Sequence, residues 1–257
     1  MFVRLDKDKD QNTTTIEVAT TGKLILAEEK HDIVISGLSF GFTTSDAIRM
    51  GVADGVAVIQ LSGTCYNIEI SHNKFTNVNG AISARNPSQA DLTSHDILVS
   101  DNDMQVVDDM GISFSNGGRI YFDKVKILRN RIYDNGARHL GRWYSSVPAI
   151  MGFFIDAEIA GNIVEYSWGN GINFFWGKSG RDSITSLPFI RGLIHHNKAS
   201  NTLIGTNDYG GIESWQGGPV YCYNNISHNA IGYKHFNKSS IGYAFYFDGG
   251  FKHYAFN

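Results

Sequence analysis

Proline, cysteine, net charge and long apolar runs are all scarce in this chain. Its 257 residues include only 4 prolines and 2 cysteines, and no apolar stretch is long enough to span a membrane. The formal net charge is −3, with both signs scattered, which argues against a nucleic-acid-binding surface. No Cys/His spacing typical of a metal site occurs, and the cysteine content says little about the compartment. Glycine, by contrast, occurs 28 times, which fits turns between strands better than disorder.

The chain is organised by a repeat of about thirty residues. In each copy an alternating apolar strand runs into an asparagine, and a glycine-led second strand follows. The asparagines recur at intervals of 29, 28, 32 and 35 residues and then 27 or 28, at Asn73, Asn102, Asn130, Asn162, Asn197 and either Asn224 or Asn225. Such a period is typical of stacked units that are each too short to bury an apolar face alone.

The repeat predicts an all-β fold, a right-handed parallel β-helix. We assign residues 23–257 to the β-helix domain and residues 1–22 to a polar N-terminal segment, the remnant of an upstream module. Solenoids normally carry polar caps, and we find no capping helix here. We therefore expect the chain to be truncated at one or both ends.

The recurrent asparagine is predicted to be structural. It stands where the chain must turn, and Asn tolerates left-handed backbone angles there. Stacked in register, these side chains would form an amide ladder. Cys222 falls on an inward position and Cys65 lies about five coils away, so no disulfide between them is expected. The doublet His195-His196, which precedes Asn197, is read as structural or as surface.

The second strand of each repeat indicates where a site would lie. Because side chains alternate along a strand, the residues one and three positions after the buried Ile or Phe point outward. In three successive coils this rule gives the pairs Asn173/Phe175, Glu213/Trp215 and Tyr246/Asp248. The pairs bring two carboxylates, an amide and three aromatic rings to what is predicted to be one exposed face. Outward aromatic rings usually mark a binding surface, and rings beside carboxylates suit a sugar.

Three carboxylates are the candidate catalytic groups. Glu213 and Asp248 lie on adjacent coils, displaced by two residues, which puts their Cα atoms roughly 8 Å apart. Asp208 stands at the mouth of the strand that carries Glu213. Glycoside hydrolysis needs such a pair, because one carboxyl protonates the leaving oxygen while the other attacks or activates water. Asp108 stands at the same offset about three coils away and is expected to be a solvated turn residue.

Two segments near the C-terminus resemble a known family. Residues 207–219 (NDYGGIESWQGGP) and 246–251 (YFDGGF) resemble a paired signature of bacterial, secreted β-helix proteins that act on carbohydrates, closest to glycoside hydrolase family 141. The resemblance implies a fucosidase or xylanase acting on plant-type glycans, with two catalytic aspartates about one coil plus a loop apart. Asp208 and Asp248, 40 residues apart, occupy the matching places.

The sequence thus predicts a glycoside hydrolase that acts on a polysaccharide or on oligosaccharides derived from it. Asp208 and Asp248 are the predicted acid and base or nucleophile, and Glu213 assists them. The sugar is predicted to contact Trp215, Tyr246, Asn173, Tyr209 and His235. No cofactor, metal, nucleic acid or membrane is expected, and we expect a monomer located in the periplasm or outside the cell.

Two alternatives remain open at this point. A polysaccharide lyase would cleave uronates by β-elimination and would need a base and positive charge, for which Arg85, Lys234 and His235 are the candidates. A non-catalytic glycan-binding solenoid would need only the aromatic surface. The fold does not decide among the three, because β-helices host all of them.

Overall fold

A computed structural model describes residues 19–44, 56–86, 93–116, 122–136, 147–175, 190–233, 240–250 and 252–256. These ranges contain 23 strands and no helix. The strands in chain order are β1 (Ile25–Glu28), β2 (His31–Ser36), β3 (Ser39–Gly41), β4 (Ile59–Ser62), β5 (Tyr66–Ser71), β6 (Lys74–Val78), β7 (Ile82–Asn86), β8 (His95–Ser100), β9 (Asp103–Val107), β10 (Ile112–Asn116), β11 (Asp123–Leu128), β12 (Arg131–Asn135), β13 (Ile150–Phe153), β14 (Asp156–Ala160), β15 (Ile163–Ser167), β16 (Ile172–Phe175), β17 (Arg191–His195), β18 (Lys198–Thr202), β19 (Tyr209–Gly217), β20 (Val220–Tyr223), β21 (Ile226–Ala230), β22 (Gly242–Gly250) and β23 (His253–Phe256).

Every third strand belongs to the same sheet, so the chain winds around a common axis. Sheet I has the order β1-β4-β7-β10-β13-β16-β19-β22, sheet II β2-β5-β8-β11-β14-β17-β20-β23, and sheet III β3-β6-β9-β12-β15-β18-β21. Each strand pairs in parallel with its equivalents in the neighbouring coils. The predicted parallel β-helix is confirmed. In the described ranges no helix is long and apolar enough to cross a membrane.

The core is a set of side-chain columns that run along the axis. In sheet I the aligned and buried isoleucines are Ile59, Ile82, Ile112, Ile150, Ile172 and Ile212. Sheet II contributes the alternating positions that the repeat predicts, ending with the buried free thiol of Cys222. Burial raises the pKa of that thiol to about 11, so it packs as a small apolar group.

The asparagine ladder forms as predicted, with Asn225 as its sixth member. In the first five members the side-chain Nδ2 donates to the Oδ1 of the next asparagine at distances from 2.9 to 3.1 Å. Each Nδ2 also donates to a backbone carbonyl oxygen, for example from Asn130 to Val99 at 3.0 Å. In addition, the backbone N–H of Asn102 donates to the Oδ1 of Asn130 at 3.1 Å. The amides are thus buried and fully engaged.

The prediction that the ladder asparagines themselves adopt left-handed backbone angles is wrong. Left-handed angles occur at the residue before each ladder asparagine, with φ from 52° to 68°, and not at the asparagine itself. These residues are His72, Asp101, Arg129, Gly161, His196 and Asn224. Asparagine is needed instead because its amide offers a donor and an acceptor at once, which lets one side chain link two coils.

The outward side of sheet I carries a second, smaller apolar cluster. Met110, Met151 and Phe153 are buried there, and Val147, Ile155 and Phe175 pack against them. The row of side chains next to the candidate site is therefore not a free surface. This cluster forms one wall of the region described next.

Candidate functional site

The register of sheet I brings most of the predicted site residues together. Asn173 of β16 pairs with Glu213 of β19, which pairs with Tyr246 of β22. One step further along the same face, Phe175 pairs with Trp215 and Trp215 with Asp248. The sequence predicted these three coils and two rows, and it predicted that Asp248 is displaced from Glu213 by two residues.

The predicted exposure of this face is wrong for two of its members. Glu213 is only 2% exposed and Asn173 only 1%, whereas Trp215, Tyr246 and Asp248 are half-buried. The buried side chain of Glu213 hydrogen-bonds back to the start of its own strand. The face is therefore a partly covered site with an acidic group at its base.

Two donors hold the Glu213 carboxyl in place. The backbone N–H of Gly210 donates to Oε2 at 2.8 Å, and the side-chain Nδ2 of Asn170 donates to the same oxygen at 2.6 Å. No described residue donates a hydrogen bond to Oε1. The carboxyl is thus fixed through one oxygen, and the other remains for a further partner.

The surroundings of Glu213 favour its protonated form. Burial is the largest cause and raises its pKa from 4.5 to about 7, against the opposing effect of the hydrogen bonds from Gly210 and Asn170. The negative charges of Asp248 and Asp208 contribute to the same rise. A carboxyl of this kind can donate a proton near neutral pH while its neighbours act as bases.

Sequence reasoning missed Asn170 as a site residue. Its Nδ2 also donates to the carbonyl oxygen of Gly210 at 2.9 Å, and its own carbonyl oxygen accepts from Ser167 Oγ at 2.8 Å. It is fully buried. A signal for it existed, because the equivalent position two residues before the buried isoleucine is Gly80 in one coil and Met110 in another. An amide there is unusual and requires a partner.

Asn173 has an unsatisfied oxygen beside the acid. Its Oδ1 is buried and has no hydrogen-bond partner among the described residues. A buried acceptor without a donor costs about 1–3 kcal/mol. A ligand hydroxyl at this point would remove that cost, in keeping with the predicted binding role of Asn173.

The half-buried rim combines aromatic rings and negative charge. The rings of Phe175 and Trp215 lie 4.7 Å apart between centroids. Burial, followed by the charges of Asp248 and Asp208, raises the pKa of Tyr246. Asp208 is exposed, in a left-handed turn with φ 63° directly before Tyr209, the half-buried first residue of β19. Asp248 lies on this face through its register with Trp215, and both aspartates are near enough for their charges to raise the pKa values of Glu213 and Tyr246.

Some predicted residues lie elsewhere. Asp108 precedes β10, three strands from β19, and Arg85 lies on β7, four strands from β19. Lys234 and His235 lie outside the described residues. Within the described ranges, no group of three or more His, Cys, Asp or Glu side chains is placed to hold a metal ion.

A groove of about 780 Å³ lies on sheet II and not at the carboxylates. Its basic side chains are already paired, Arg191 with Asp156 at 2.5 Å and Lys126 with Glu158 at 3.9 Å. Because Arg191 and Lys126 already have acidic partners, their charges do not by themselves indicate a bound ligand. The perturbed carboxyl and the unsatisfied amide make the sheet I cluster the better candidate site.

The fold defines the class of the protein, which is a parallel β-solenoid, and sheet I carries the cluster of carboxyl groups described above. No family model, curated protein or solved structure matches the chain. The resemblance to glycoside hydrolase family 141 accordingly rests on the two sequence segments alone.

Proposed function

We propose that this solenoid is a glycoside hydrolase that acts on a polysaccharide or on oligosaccharides derived from it. One observation carries the proposal: a buried carboxyl, Glu213, has its pKa raised to about 7 beside two further carboxyls, Asp248 and Asp208. Hydrolysis of a glycosidic bond needs a proton donor and an ionised carboxylate on one site, and environments that separate two carboxyl pKa values supply them.

The burial of Glu213 supports an assignment of roles that differs from the one predicted from the sequence. Glu213 fits the general acid better than an assisting group, because its pKa is raised to about 7 and its Oε1 accepts no hydrogen bond from a described residue. Asp248, half-buried and in register with Trp215, is then the base or nucleophile. Asp208, more exposed, is the alternative for that second role.

The remaining groups suit the recognition of a sugar. Trp215 and Tyr246 offer partly exposed rings on which the C–H face of a pyranose packs, and Tyr209 lies at the entrance to the same strand. The buried Oδ1 of Asn173, for which the described part of the chain supplies no donor, would accept from a sugar hydroxyl. These contacts would orient the ring over the carboxyls.

The electrostatics favour hydrolysis over uronate elimination. A uronate would bring its carboxylate against Asp208 and Asp248, and Arg85 lies too many strands away to neutralise it. The pKa of Tyr246 is raised, which makes the phenol a poorer base at neutral pH. A lyase product would nevertheless be recognised at once by its ultraviolet absorbance.

A panel of plant and algal glycans, assayed for new reducing ends, tests the proposal. We expect Glu213→Gln and Asp248→Asn to lower kcat by at least about 100-fold, in line with the loss of a general acid or its partner. Asp108→Asn is the matched control, since Asp108 has the same offset from its strand without lying at the site. Activity that survives both site substitutions contradicts the mechanism. Glycan binding without turnover in the wild-type protein would indicate a binding solenoid instead.

A further inference from the structure

The two aspartates at the carboxyl site have no cationic partner in the described part of the chain. Asp248 is half-buried and Asp208 is exposed, and no ion pair between described residues includes either side chain. On sheet III, by contrast, Glu165 pairs with Lys198 at 2.9 Å. The described residues therefore do not neutralise the negative charge at the carboxyl site.

This charge acts on the groups around it. The charges of Asp248 and Asp208 both contribute to the raised pKa values of Glu213 and Tyr246, although burial is the largest cause for each group. Two like charges that are close enough to act on the same groups also repel an anionic ligand, whereas a bound cation relieves the repulsion. The electrostatics thus favour a positively charged ligand.

An unsatisfied acceptor at the same place points to a ligand that donates hydrogen bonds. Asn173, which pairs with Glu213 in the register of sheet I, is 1% exposed, and its Oδ1 has no donor among the described residues. Buried acceptors of this kind are normally engaged. Ammonium and hydroxyl groups both supply the missing donor, and an ammonium group supplies the positive charge as well.

An organic cation fits these residues better than a metal ion. Within the described ranges, no three His, Cys, Asp or Glu side chains are placed to hold a metal. Trp215 pairs with Asp248, and Tyr246 lies two residues before Asp248 on the same face of β22. An ammonium group on a carbon skeleton can contact an aromatic ring and a carboxylate at once.

We propose that the substrate of this site is an amino sugar with a free, protonated amine, as found in a de-N-acetylated polysaccharide. This substrate class rests on the proposed glycosidase function and specifies what the enzyme acts on. The amine lies against Asp248, the more exposed Asp208 adds negative charge, and Asn173 accepts a hydrogen bond from the amine or from a neighbouring hydroxyl. The N-acetylated form of the same sugar has no such charge and binds less tightly.

Calorimetric titration of glucosamine oligosaccharides and of their N-acetylated counterparts tests this specificity at pH 6, where the amine carries its proton. The full chain carries Glu213→Gln in these titrations, so that no glycosidic bond is cleaved. We expect the free amines to bind at least about tenfold more tightly, because hydrogen bonds between charged groups are among the strongest. The preference should shrink in about 1 M salt, which screens the charges.

Three further substitutions in the same background locate the charge that is recognised. Asp248→Asn should lower the affinity for the free amines about tenfold and leave the affinity for the N-acetylated ligands nearly unchanged. Asp208→Asn should lower it only about threefold, because that side chain is more exposed to solvent. Asp108→Asn is the matched control and should change neither affinity, since Asp108 lies three strands away in sheet I.

Equal affinities for the two kinds of ligand, no binding of either, or a preference that survives Asp248→Asn would overturn the proposal. Wild-type protein that releases reducing ends from neutral glycans without preferring free amines would remain a hydrolase but not one for amino sugars. Wild-type protein that binds the free amines selectively without cleaving them would support the amine site and contradict the proposed hydrolysis.

Discussion

Replacing Glu213 by glutamine should stabilise the protein at alkaline pH and leave it nearly unchanged in mild acid. The carboxyl has a pKa of 4.5 in an exposed environment and about 7 in the folded protein. Between these two values the folded chain holds a proton that the unfolded chain has lost. The free energy of unfolding therefore falls as the pH rises through this window, and the loss is complete above about pH 7.

The magnitude follows from the difference between the two pKa values. A tenfold change in proton affinity is equivalent to about 1.4 kcal/mol, so the full loss is about 3 kcal/mol. Part of this loss of stability has already occurred at pH 5. Glutamine has no charge to lose and keeps an oxygen that accepts from Gly210 and Asn170. Relative to wild type, Glu213→Gln should therefore gain about 2 kcal/mol more at pH 8 than at pH 5.

Urea unfolding at pH 5 and pH 8, followed by circular dichroism, measures this difference. A ¹³C titration of the Glu213 carboxyl, assigned by its absence from the variant, gives the pKa directly. Glu165→Gln is the control, because hydrogen bonding to Lys198 lowers the pKa of Glu165. Above pH 4.5 the ionised Glu165 contributes a constant amount to the free energy of unfolding. The change in stability caused by Glu165→Gln should therefore be the same at pH 5 and pH 8. A stability change for Glu213→Gln that does not vary with pH would refute the reasoning.

Three further predictions concern the ladder, the core thiol and the rim of the site. Asn130→Ala should destabilise the protein by about 2–4 kcal/mol in urea unfolding, because it leaves buried partners in two coils unpaired, and a loss below 1 kcal/mol would contradict the ladder's role. The Cys222 thiol, with its pKa raised to about 11, should resist alkylation at pH 8 until urea unfolds the chain, and rapid labelling of the folded protein would contradict its burial. Asp248→Asn should lower the pKa of Tyr246 in an absorbance titration at alkaline pH, and an unchanged pKa would show that Asp248 does not face the phenol.

The fold was predictable because its signal is repeated. An inward column needs the same residue type in every coil, so the asparagine spacing and the period-two alternation each occur several times along the chain. The pairing of Glu213 with Tyr246 and of Trp215 with Asp248 followed from that alignment alone. A single copy of the pattern would not have predicted the register, because one short apolar strand could pair with many others.

The burial of Glu213 was not predictable in the same way. Alternation along the strand says which side of the sheet a residue occupies, but not what covers that side. The cover depends on single residues, such as Asn170, and on the apolar cluster around Met151, which occur once and have no period. The position of the left-handed residue before each ladder asparagine was missed for a related reason, because residues as different as Arg129 and Gly161 occupy it.

The identity of residue 213 bears on why an acid is buried here at all. The two donors that reach its side chain, from Gly210 and Asn170, need only an oxygen acceptor, and a glutamine would supply one at no electrostatic cost. The other buried polar side chains in the described ranges are neutral amides and hydroxyls, as in the ladder from Asn73 to Asn225. A carboxyl at this one position makes the folded state less stable above pH 7 without adding a contact that an amide could not make. Its advantage over glutamine is the ability to give up and regain a proton, which is the property that the proposed general acid requires.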